Sequence, residues 1–254
     1  MAESMTLLLP SGYRALIFDE IDSTNEEVRR RAAAGEAGNL FILARRQTAG
    51  RGRRGREWQS PRGNFHATLL LRPPVTPQKS AELSFVAANT VAETIETLGV
   101  PRASVKWPND VLVDGAKIAG ILLESSARHP AQLEWIAIGI GINLAHAPER
   151  IPAQATSVAI RTGRAAPDAA EVLAILARAF AGRYDIWMSQ GFAPTRAEWL
   201  SRAHGLGERI VARLEREEVA GTFLDVNDAG AILIGTPDGV RAISSGEVFF
   251  ARIN

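Results

Sequence analysis

The sequence contains no cysteine among its 254 residues. This absence excludes disulfide bonds, thiol catalysis and thiolate metal sites, and it fits a reducing compartment. Aromatic residues make up only 6% of the chain, and the formal net charge is only +1. Because a nucleic-acid-binding protein normally combines an excess of basic charge with stacking aromatic side chains, the composition argues against that class. Any strong positive field must therefore be local.

Long apolar segments and clustered metal ligands are also lacking. Residues 7–9 form a short apolar run with no basic segment before it, so we expect neither a signal peptide nor a membrane span, and we expect a cytoplasmic protein. The four histidines are dispersed, and no P-loop, nucleophile elbow or kinase signature is present. We therefore expect no protein-built metal site, and chemistry that depends on arginine, lysine, glycine and asparagine.

What the chain does contain is a concentrated run of arginine and glycine at residues 50–58, GRGRRGREW. The guanidinium groups of Arg51, Arg53, Arg54 and Arg56 repel one another, so an ordered loop needs anions between them. The interleaved glycines let the backbone approach a ligand closely. This pattern predicts a mobile loop that orders around phosphate or carboxylate, although a solvated basic loop is the commoner reason for a run of charge.

The same run matches the dinucleotide-binding fingerprint through Gly50, Gly52 and Gly55. That fingerprint opens a helix and is followed, about 20 positions later, by an acidic residue that binds a ribose. Here Pro61 ends any such helix after about one turn. Residues 69–72 (LLLR) have the wrong chemistry for a ribose. We therefore reject a Rossmann-type nucleotide site.

Apolar periodicity and turn signals predict both helices and strands, with a boundary near Gly205 that gives two domains, 1–204 and 205–254. A strand at 15–20 precedes a helix that begins at Ser23-Thr24-Asn25, where Ser23 and Glu26, or Thr24 and Glu27, have capping-box spacing. Further helices are expected over 80–98, from Pro167-Asp168 to about 190, and over 194–204. After Gly205 the pattern changes to short strands separated by turn signals, which predicts a small antiparallel barrel or sandwich with strands at 209–214, 219–225, 231–235, 240–244 and 248–252.

A second informative stretch contains one lysine in an apolar strand. Strands at 111–113 and 116–123 are joined by Asp114-Gly115, a favoured two-residue hairpin turn. Lys117 lies early in the second strand, which is otherwise apolar on both faces. Because an unpaired buried ammonium is very unfavourable, Lys117 must reach solvent, pair with a carboxylate or meet a ligand anion. These residues alone leave the structural and ligand interpretations about even.

A third stretch, WIAIGIGINL at 135–144, has one almost bare strand face. Its isoleucines share one side, while Ala137, Gly139, Gly141 and Asn143 share the other. A face without side chains is typical of a strand against which a flat ligand or another backbone lies. Close packing of the strand on a helix would also require small residues.

These stretches combine into a recognisable series: Ser23-Thr24-Asn25, Gln47 ahead of GRGRRGREW, KWPND (106–110), KIAGILLE (117–124) and GIGINL (139–144). The series closely resembles the catalytic domain of biotin–protein ligases, from about residue 16 to residue 145, and the segment after Gly205 resembles that family's small SH3-like domain. The resemblance implies an α+β fold, in which a mixed sheet with packed helices is followed by a C-terminal SH3-like β-barrel. It also implies two half-reactions, in which biotin and MgATP give biotinyl-5′-AMP and pyrophosphate, and a lysine of the biotin carboxyl carrier protein of acetyl-CoA carboxylase then attacks the mixed anhydride.

The resemblance further implies a role for each matched position. The biotin ureido ring and carboxylate would be held by Ser23, Thr24, Asn25, Gln47, Arg51, Gly52 and Arg53. Lys117 would bridge the biotin carboxyl oxygen and the α-phosphate, and together with Arg53 it would carry the catalysis. The nucleotide would contact Arg56, Trp58, Asn109, Asp110, Gly139, Gly141 and Asn143. In that set Trp58 would stack on the adenine, Asn143 would bond its edge, and Asn109 and Asp110 would act directly or through Mg²⁺.

Only about twenty residues precede Ser23, which is too few for the DNA-binding winged helix that many bacterial relatives carry. We therefore expect a ligase without a repressor role and with no DNA or membrane partner; a homodimer is compatible with the resemblance. The alternative is a lipoate–protein ligase of the same fold, although that family's arginine-serine-glycine-glycine-glycine motif is missing here. A more distant alternative is a nucleic-acid-binding module that uses the arginine–glycine loop.

Overall fold

A seven-stranded mixed sheet forms the centre of the larger part of the protein. The computed structural model describes residues 7–148 and 154–250. The sheet is built from β1 (Arg14–Phe18), β2 (Leu40–Ala44), β3 (Phe65–Leu71), β4 (Ser104–Lys106), β5 (Asp110–Val113), β6 (Ala116–His129) and β7 (Gln132–Ile142). Its strand order is β1-β2-β3-β7-β6-β5-β4, with β1 and β2 parallel and the other pairs antiparallel. The α+β class predicted from the sequence is confirmed.

The two faces of this sheet are covered differently. Helix α1 (Thr24–Ala33) packs its Val28 and Ala32 on a small cluster that includes Ile42 and Leu70. The alternate strand residues point into a larger core on the other face, which is covered by the remaining helices: α2 (Pro77–Ser80), α3 (Leu83–Thr97), α4 (Val158–Thr162), α5 (Ala169–Gln190) and α6 (Phe192–Ser201). Helix α1 spans only part of its face, so a polar portion of the sheet stays open to ligands. None of the helices in the described ranges is long and apolar enough to cross a bilayer.

Local signals predicted most of the elements, but β4 and α4 were not predicted and β6 reaches His129 where its end was expected at residue 123. The helix expected over 80–98 is two helices, because Thr76 caps an earlier start at Pro77 and accepts a hydrogen bond from Lys79 N at 3.2 Å. The chain then turns at Ala81 before α3 begins. The predicted hairpin is confirmed, and both Asp114 and Gly115 have positive φ as a type I′ turn requires.

The C-terminal strands form a separate antiparallel sheet. They are β8 (Arg209–Arg213), β9 (Glu218–Val226), β10 (Ile232–Thr236), β11 (Gly239–Ile243) and β12 (Glu247–Phe250), in the order β11-β10-β9-β8-β12. Within the described residues β11 and β12 are the edges of this sheet, and its antiparallel architecture is consistent with the predicted SH3-like domain. The last strand was expected to reach residue 252, and residues 251 and 252 lie outside the described ranges. Strand β12 brings Glu247 to the open face of the large sheet.

Candidate active site

A cleft of about 490 Å³ lies on the open part of the sheet face that carries α1. All the residues that the sequence assigned to the site line this one cleft: Ser23, Thr24, Asn25, Gln47, Arg51, Gly52, Arg53, Arg56, Trp58, Asn109, Asp110, Lys117, Gly139, Gly141 and Asn143. They come from six separate segments of the chain. Their individual roles remain predictions.

One row of residues across the sheet forms the floor of the cleft. Strand register places His66 of β3 opposite Gly141 of β7, Gly141 opposite Gly120 of β6, and Gly120 opposite Asp110 of β5. Neighbouring strands are about 4.8 Å apart, so His66 and Asp110 are separated by about 14 Å across three strand pairs. The two glycines between them make a trough, with an imidazole at one end and a carboxylate at the other.

Side chains of the protein itself lie against the bare glycines. A Cβ added at Gly141 would be 2.5 Å from both Cε2 and Nε1 of Trp58, and one added at Gly120 would be 3.2 Å from Cζ3 of the same indole. At Gly139 an added Cβ would overlap the carboxamide of Asn25. The glycines are therefore needed for the close approach of Trp58 and Asn25. A ligand ring that lies on Gly141 must displace the indole.

At the β3 end of the cleft, hydroxyl and carboxamide groups form a hydrogen-bond network that ends at the carboxylate of Glu124. Gln47 Oε1 accepts from both N and Oγ1 of Thr24, at 2.8 and 3.0 Å. Thr68 Oγ1 lies 2.8 Å from Thr24 Oγ1 and 2.7 Å from Asn25 Oδ1. Asn25 Nδ2 donates to Glu124 Oε2 at 2.7 Å, which fixes the orientation of its carboxamide. The helix start thus serves as one wall of the site.

The capping box predicted at this helix start is not formed. Ser23 occupies the N-cap position of α1, but its side chain makes no capping hydrogen bond. Gln47, which is distant in sequence, satisfies the amide of Thr24 instead. The hydroxyls of Ser23 and Thr24 consequently line the cleft instead of capping the helix.

Carboxylates of the protein balance most of the arginine-rich loop. Arg51 Nη2 lies 2.5 Å from Glu26 and 3.2 Å from Glu124, and Arg56 Nη2 lies 2.5 Å from Glu247. Arg54 is also near Glu247, at 3.9 Å. The sequence predicted that an ordered loop needs anions, and here the protein supplies them from α1, β6 and β12.

Arg53 differs from the other loop arginines. Its Nη1 is 3.5 Å from Asn109 Oδ1 and 3.4 Å from Gly246 O, and it forms no ion pair with any described carboxylate. Burial lowers the pKa of Arg53 from its ordinary value, and the charge of Arg54 lowers it further. The guanidinium nevertheless stays protonated, because arginine is not deprotonated in proteins. Arg53 therefore presents a half-buried positive charge that a ligand anion can neutralise.

Lys117 forms an ion pair at the opposite end of the trough from His66. Its Nζ lies 2.5 Å from Asp110 Oδ1 and 5.4 Å from the centroid of the Trp58 ring. Of the interpretations open for Lys117, the structure shows a carboxylate pair inside the cleft. Lys106 lines the cleft nearby, and burial lowers its pKa, an effect that Asp110 opposes and Lys117 reinforces. This end of the cleft is consequently cationic.

The two asparagines predicted to face the nucleotide are anchored by backbone carbonyls. Asn143 Nδ2 donates to Thr156 O at 3.0 Å, and Asn109 Nδ2 donates to Ile121 O at 2.7 Å. Because the amide nitrogens are used in this way, the orientation of each side chain is determined. Asn109 Oδ1 is thereby directed at Arg53.

Sequence reasoning missed several residues of the site. His66 and Thr68 stand out, in retrospect, as polar residues at alternate positions of a strand whose every residue is buried. Glu124 is the last residue of the KIAGILLE motif, in which only Lys117 was assigned to the site. No local signal in the sequence marks Glu247. His66 is only 1% exposed, and its Nε2 lies 3.2 Å from Pro61 O. Burial lowers the pKa of His66 to about 4.

Comparisons with known proteins agree with this geometry. The biotin/lipoate A/B protein ligase family matches residues 17–143, and the biotin protein ligase C-terminal domain matches residues 205–251. The chain is 47% identical to a biotin–[acetyl-CoA-carboxylase] ligase of Paracoccus denitrificans, over 90% of this chain and 97% of that protein. It is 33% identical to the bifunctional ligase/repressor BirA of Bacillus subtilis, over 93% of this chain and 74% of that protein. The fold is similar to biotin protein ligase from Aquifex aeolicus in complex with biotin and ATP, with a TM-score of 0.81, 30% identity, and 94% of this chain and 99% of that one covered.

Proposed function

The chain belongs to the biotin/lipoate A/B protein ligase family, and we propose that it is a biotin–[acetyl-CoA-carboxylase] ligase. It joins biotin to AMP at the expense of ATP and then transfers biotin to a lysine of the biotin carboxyl carrier protein. The relatives named as biotin ligases, which align over most of this chain, favour biotin over lipoate. The proposal includes a cytoplasmic location, domains at 1–204 and 205–254, and no DNA binding by this chain.

The polarity of the cleft is the observation that carries this proposal. At the β3 end Thr24, Gln47 and Thr68 form a neutral network. At the β5–β6 end Lys117 and Lys106 provide positive charge, and Arg53 adds a half-buried guanidinium. Biotin has the same polarity, with a neutral ureido ring at one end and a carboxylate at the other. Its carboxylate would therefore face the positive charges that also attract a triphosphate.

In the first half-reaction a biotin carboxylate oxygen forms a bond to the α-phosphorus, and the bond to the leaving pyrophosphate breaks. Two anions must approach each other, so the rate depends on positive charge placed between them. Lys117 exchanges its contact with Asp110 for the carboxyl and α-phosphate oxygens. Arg53, which has no described carboxylate partner, is the second cation in reach of the developing charge.

Mg²⁺ fits this site as part of the ATP substrate. No group of three or more potential metal-ligating side chains exists among residues 7–148 and 154–250. Mg²⁺ commonly binds through substrate phosphates and only one or two carboxylates. Asp110, with Asn109 beside it, is the carboxylate placed to approach such an ion, whose charge would offset that of the phosphates.

In the second half-reaction a carrier lysine amine forms an amide with the biotinyl carbon, and AMP leaves. Water must be kept from the mixed anhydride until the lysine arrives. The loop of residues 50–58 can exclude it, because the ion pairs of Arg51 and Arg56 tie the loop to α1, β6 and β12.

The test is to supply the purified chain with MgATP and either biotin or lipoate, together with an isolated carrier domain. Pyrophosphate release and the mass of the carrier report the two half-reactions separately. We expect modification with biotin and none on a carrier whose acceptor lysine is replaced by arginine. Preferential attachment of lipoate would refute the proposal.

A further inference from the structure

We propose that His66 determines substrate specificity, because its Nδ1 accepts a hydrogen bond from an N–H of the biotin ureido ring, a donor that lipoate lacks. This inference rests on the proposed function and deepens it. It starts from two residues that line the cleft, His66 and Trp58, each of which has a buried side-chain nitrogen, Nδ1 and Nε1 respectively, with no hydrogen-bond partner among the described residues.

His66 lies at the β3 end of the trough, the end that carries the hydroxyl and carboxamide network. His66 and Gly141 are directly opposite in the β3–β7 pair, so their side-chain positions share one face of the sheet. Thr68, two residues along β3, is on the same face and belongs to the network of Thr24 and Asn25. A ring held by that network would have its edge near the imidazole.

The hydrogen-bond role of each imidazole nitrogen follows from its surroundings. Nε2 lies 3.2 Å from Pro61 O, and a carbonyl oxygen can only accept, so Nε2 carries the hydrogen. Burial lowers the pKa of His66 to about 4, so the ring is neutral near pH 7 and Nδ1 is an acceptor. A group with so low a pKa is also a poor general base for a lysine amine at neutral pH.

A second unpartnered group, a donor, lies over the residue opposite His66. Trp58 Nε1 would be 2.5 Å from a Cβ on Gly141, the residue opposite His66, and it makes no hydrogen bond with any described residue. Buried polar groups normally have partners, and a buried acceptor without one is destabilising. A ligand edge that carries an N–H next to a C=O or ring nitrogen can donate to His66 Nδ1. The same edge can accept from Trp58 Nε1 if the indole stays close.

Both substrates carry such an edge, the ureido ring of biotin and the amino edge of adenine. The phosphates attached to adenosine are attracted to the positive charges of Lys117 and Arg53 at the other end of the cleft. The hydroxyl and carboxamide network near His66 therefore favours the ureido ring. Lipoate has a dithiolane ring with no N–H, so it would leave Nδ1 buried and unpaired. A site built to bond an N–H rejects an analogue without that donor strongly.

The test compares His66→Phe, which keeps a ring but removes the acceptor, with His66→Gln, which offers a carboxamide oxygen. Calorimetric titration should give a biotin Kd that rises about 10- to 100-fold in His66→Phe, with partial recovery in His66→Gln, while the ATP Kd stays within about twofold of wild type. The ratio of biotin- to lipoate-dependent pyrophosphate release should fall in parallel. Unchanged biotin affinity in a folded His66→Phe protein would overturn the proposal, and so would a loss confined to ATP, which would identify adenine as the occupant.

A second measurement begins with the wild-type protein and changes the ligand instead. Two cyclic carbamate analogues of biotin each replace one ureido N–H by oxygen. Wild type should bind one of them about as weakly as His66→Phe binds biotin, and combining that analogue with the variant should produce little further loss. Equal binding of biotin and both analogues by wild type would overturn the proposal. Biotinylation of the carrier by wild type tests the proposed function separately. A negative result for the His66 hydrogen bond can therefore be distinguished from a negative result for the ligase function.

Discussion

Arg56 and Glu247, which are 191 positions apart, form an ion pair of 2.5 Å that joins the arginine-rich loop to the C-terminal sheet. The Arg56 side chain is largely exposed, so the pair contributes no more than about 1 kcal/mol to global stability. Its effect should instead be local, because it restrains a glycine-rich segment.

Glu247→Gln should therefore loosen the loop without unfolding the protein. We expect faster tryptic cleavage within residues 51–56 and an almost unchanged thermal midpoint. The matched control is Glu217→Gln, which removes an exposed pair with Arg241 of β11, at the opposite edge of the sheet from β12. Equal cleavage rates in wild type and both variants would show that Glu247 does not restrain the loop.

Lys117→Ala should nearly abolish adenylate formation, with a loss of about 10²–10³ in rate. The substitution also leaves the carboxylate of Asp110 without its partner in the cleft. The double variant Lys117→Ala/Asp110→Asn should therefore regain thermal stability but not activity. Pyrophosphate release near the wild-type rate in either folded variant would contradict the assignment of Lys117.

Gly141→Val should displace the Trp58 indole, because even the first added carbon is 2.5 Å from that ring. We expect altered tryptophan fluorescence and weaker ATP binding, since the new side chain enters the trough predicted to take the nucleotide. Gly182→Ala on α5 is the control, because its added Cβ meets nothing within 4 Å. A lower thermal midpoint with unchanged ATP affinity would mean that Gly141 serves only the packing of Trp58.

Arg53→Gly should affect the two half-reactions differently. Activation should continue, because Lys117 remains, but the adenylate should escape faster once a half-buried guanidinium is lost and chain freedom is gained. Free biotinyl-5′-AMP acylates accessible lysines, so an unrelated lysine-rich protein mixed with the variant should become biotinylated. Equal labelling of that protein by wild type and variant, with equal carrier modification, would show that Arg53 does not retain the adenylate.

The low pKa of His66 predicts a specific loss of stability in acid. Its pKa is about 4 in the folded protein and about 6.5 when exposed, so the unfolded chain binds a proton that the folded one does not. The free energy of unfolding should fall as the pH drops from about 7 to 4, by roughly 3 kcal/mol from this group. Denaturant titrations of His66→Gln should lack that component. A slope identical to wild type would mean that His66 is not buried neutral.

Local patterns in the sequence determined much of the fold, and the resemblance to biotin–protein ligases supplied most of the predicted site residues. Apolar periodicity identified the strands, and Asp114-Gly115 and Asp168 marked a turn and a helix start, because those signals depend on neighbouring residues. The helix break at Ala81 and the cap on Thr24 were missed. In the second case the capping partner is Gln47, which no local rule connects to the helix start.

Only the tertiary structure decided how these residues work together. Strand register aligned His66, Gly141, Gly120 and Asp110 in one row, and register depends on pairings between distant segments. The anions that the arginine loop requires come from α1, β6 and β12, and the last of these belongs to the C-terminal sheet. Charge repulsion within the loop could be read from its sequence, but the identity of the balancing carboxylates could not, because ion pairing depends on distances that folding alone sets.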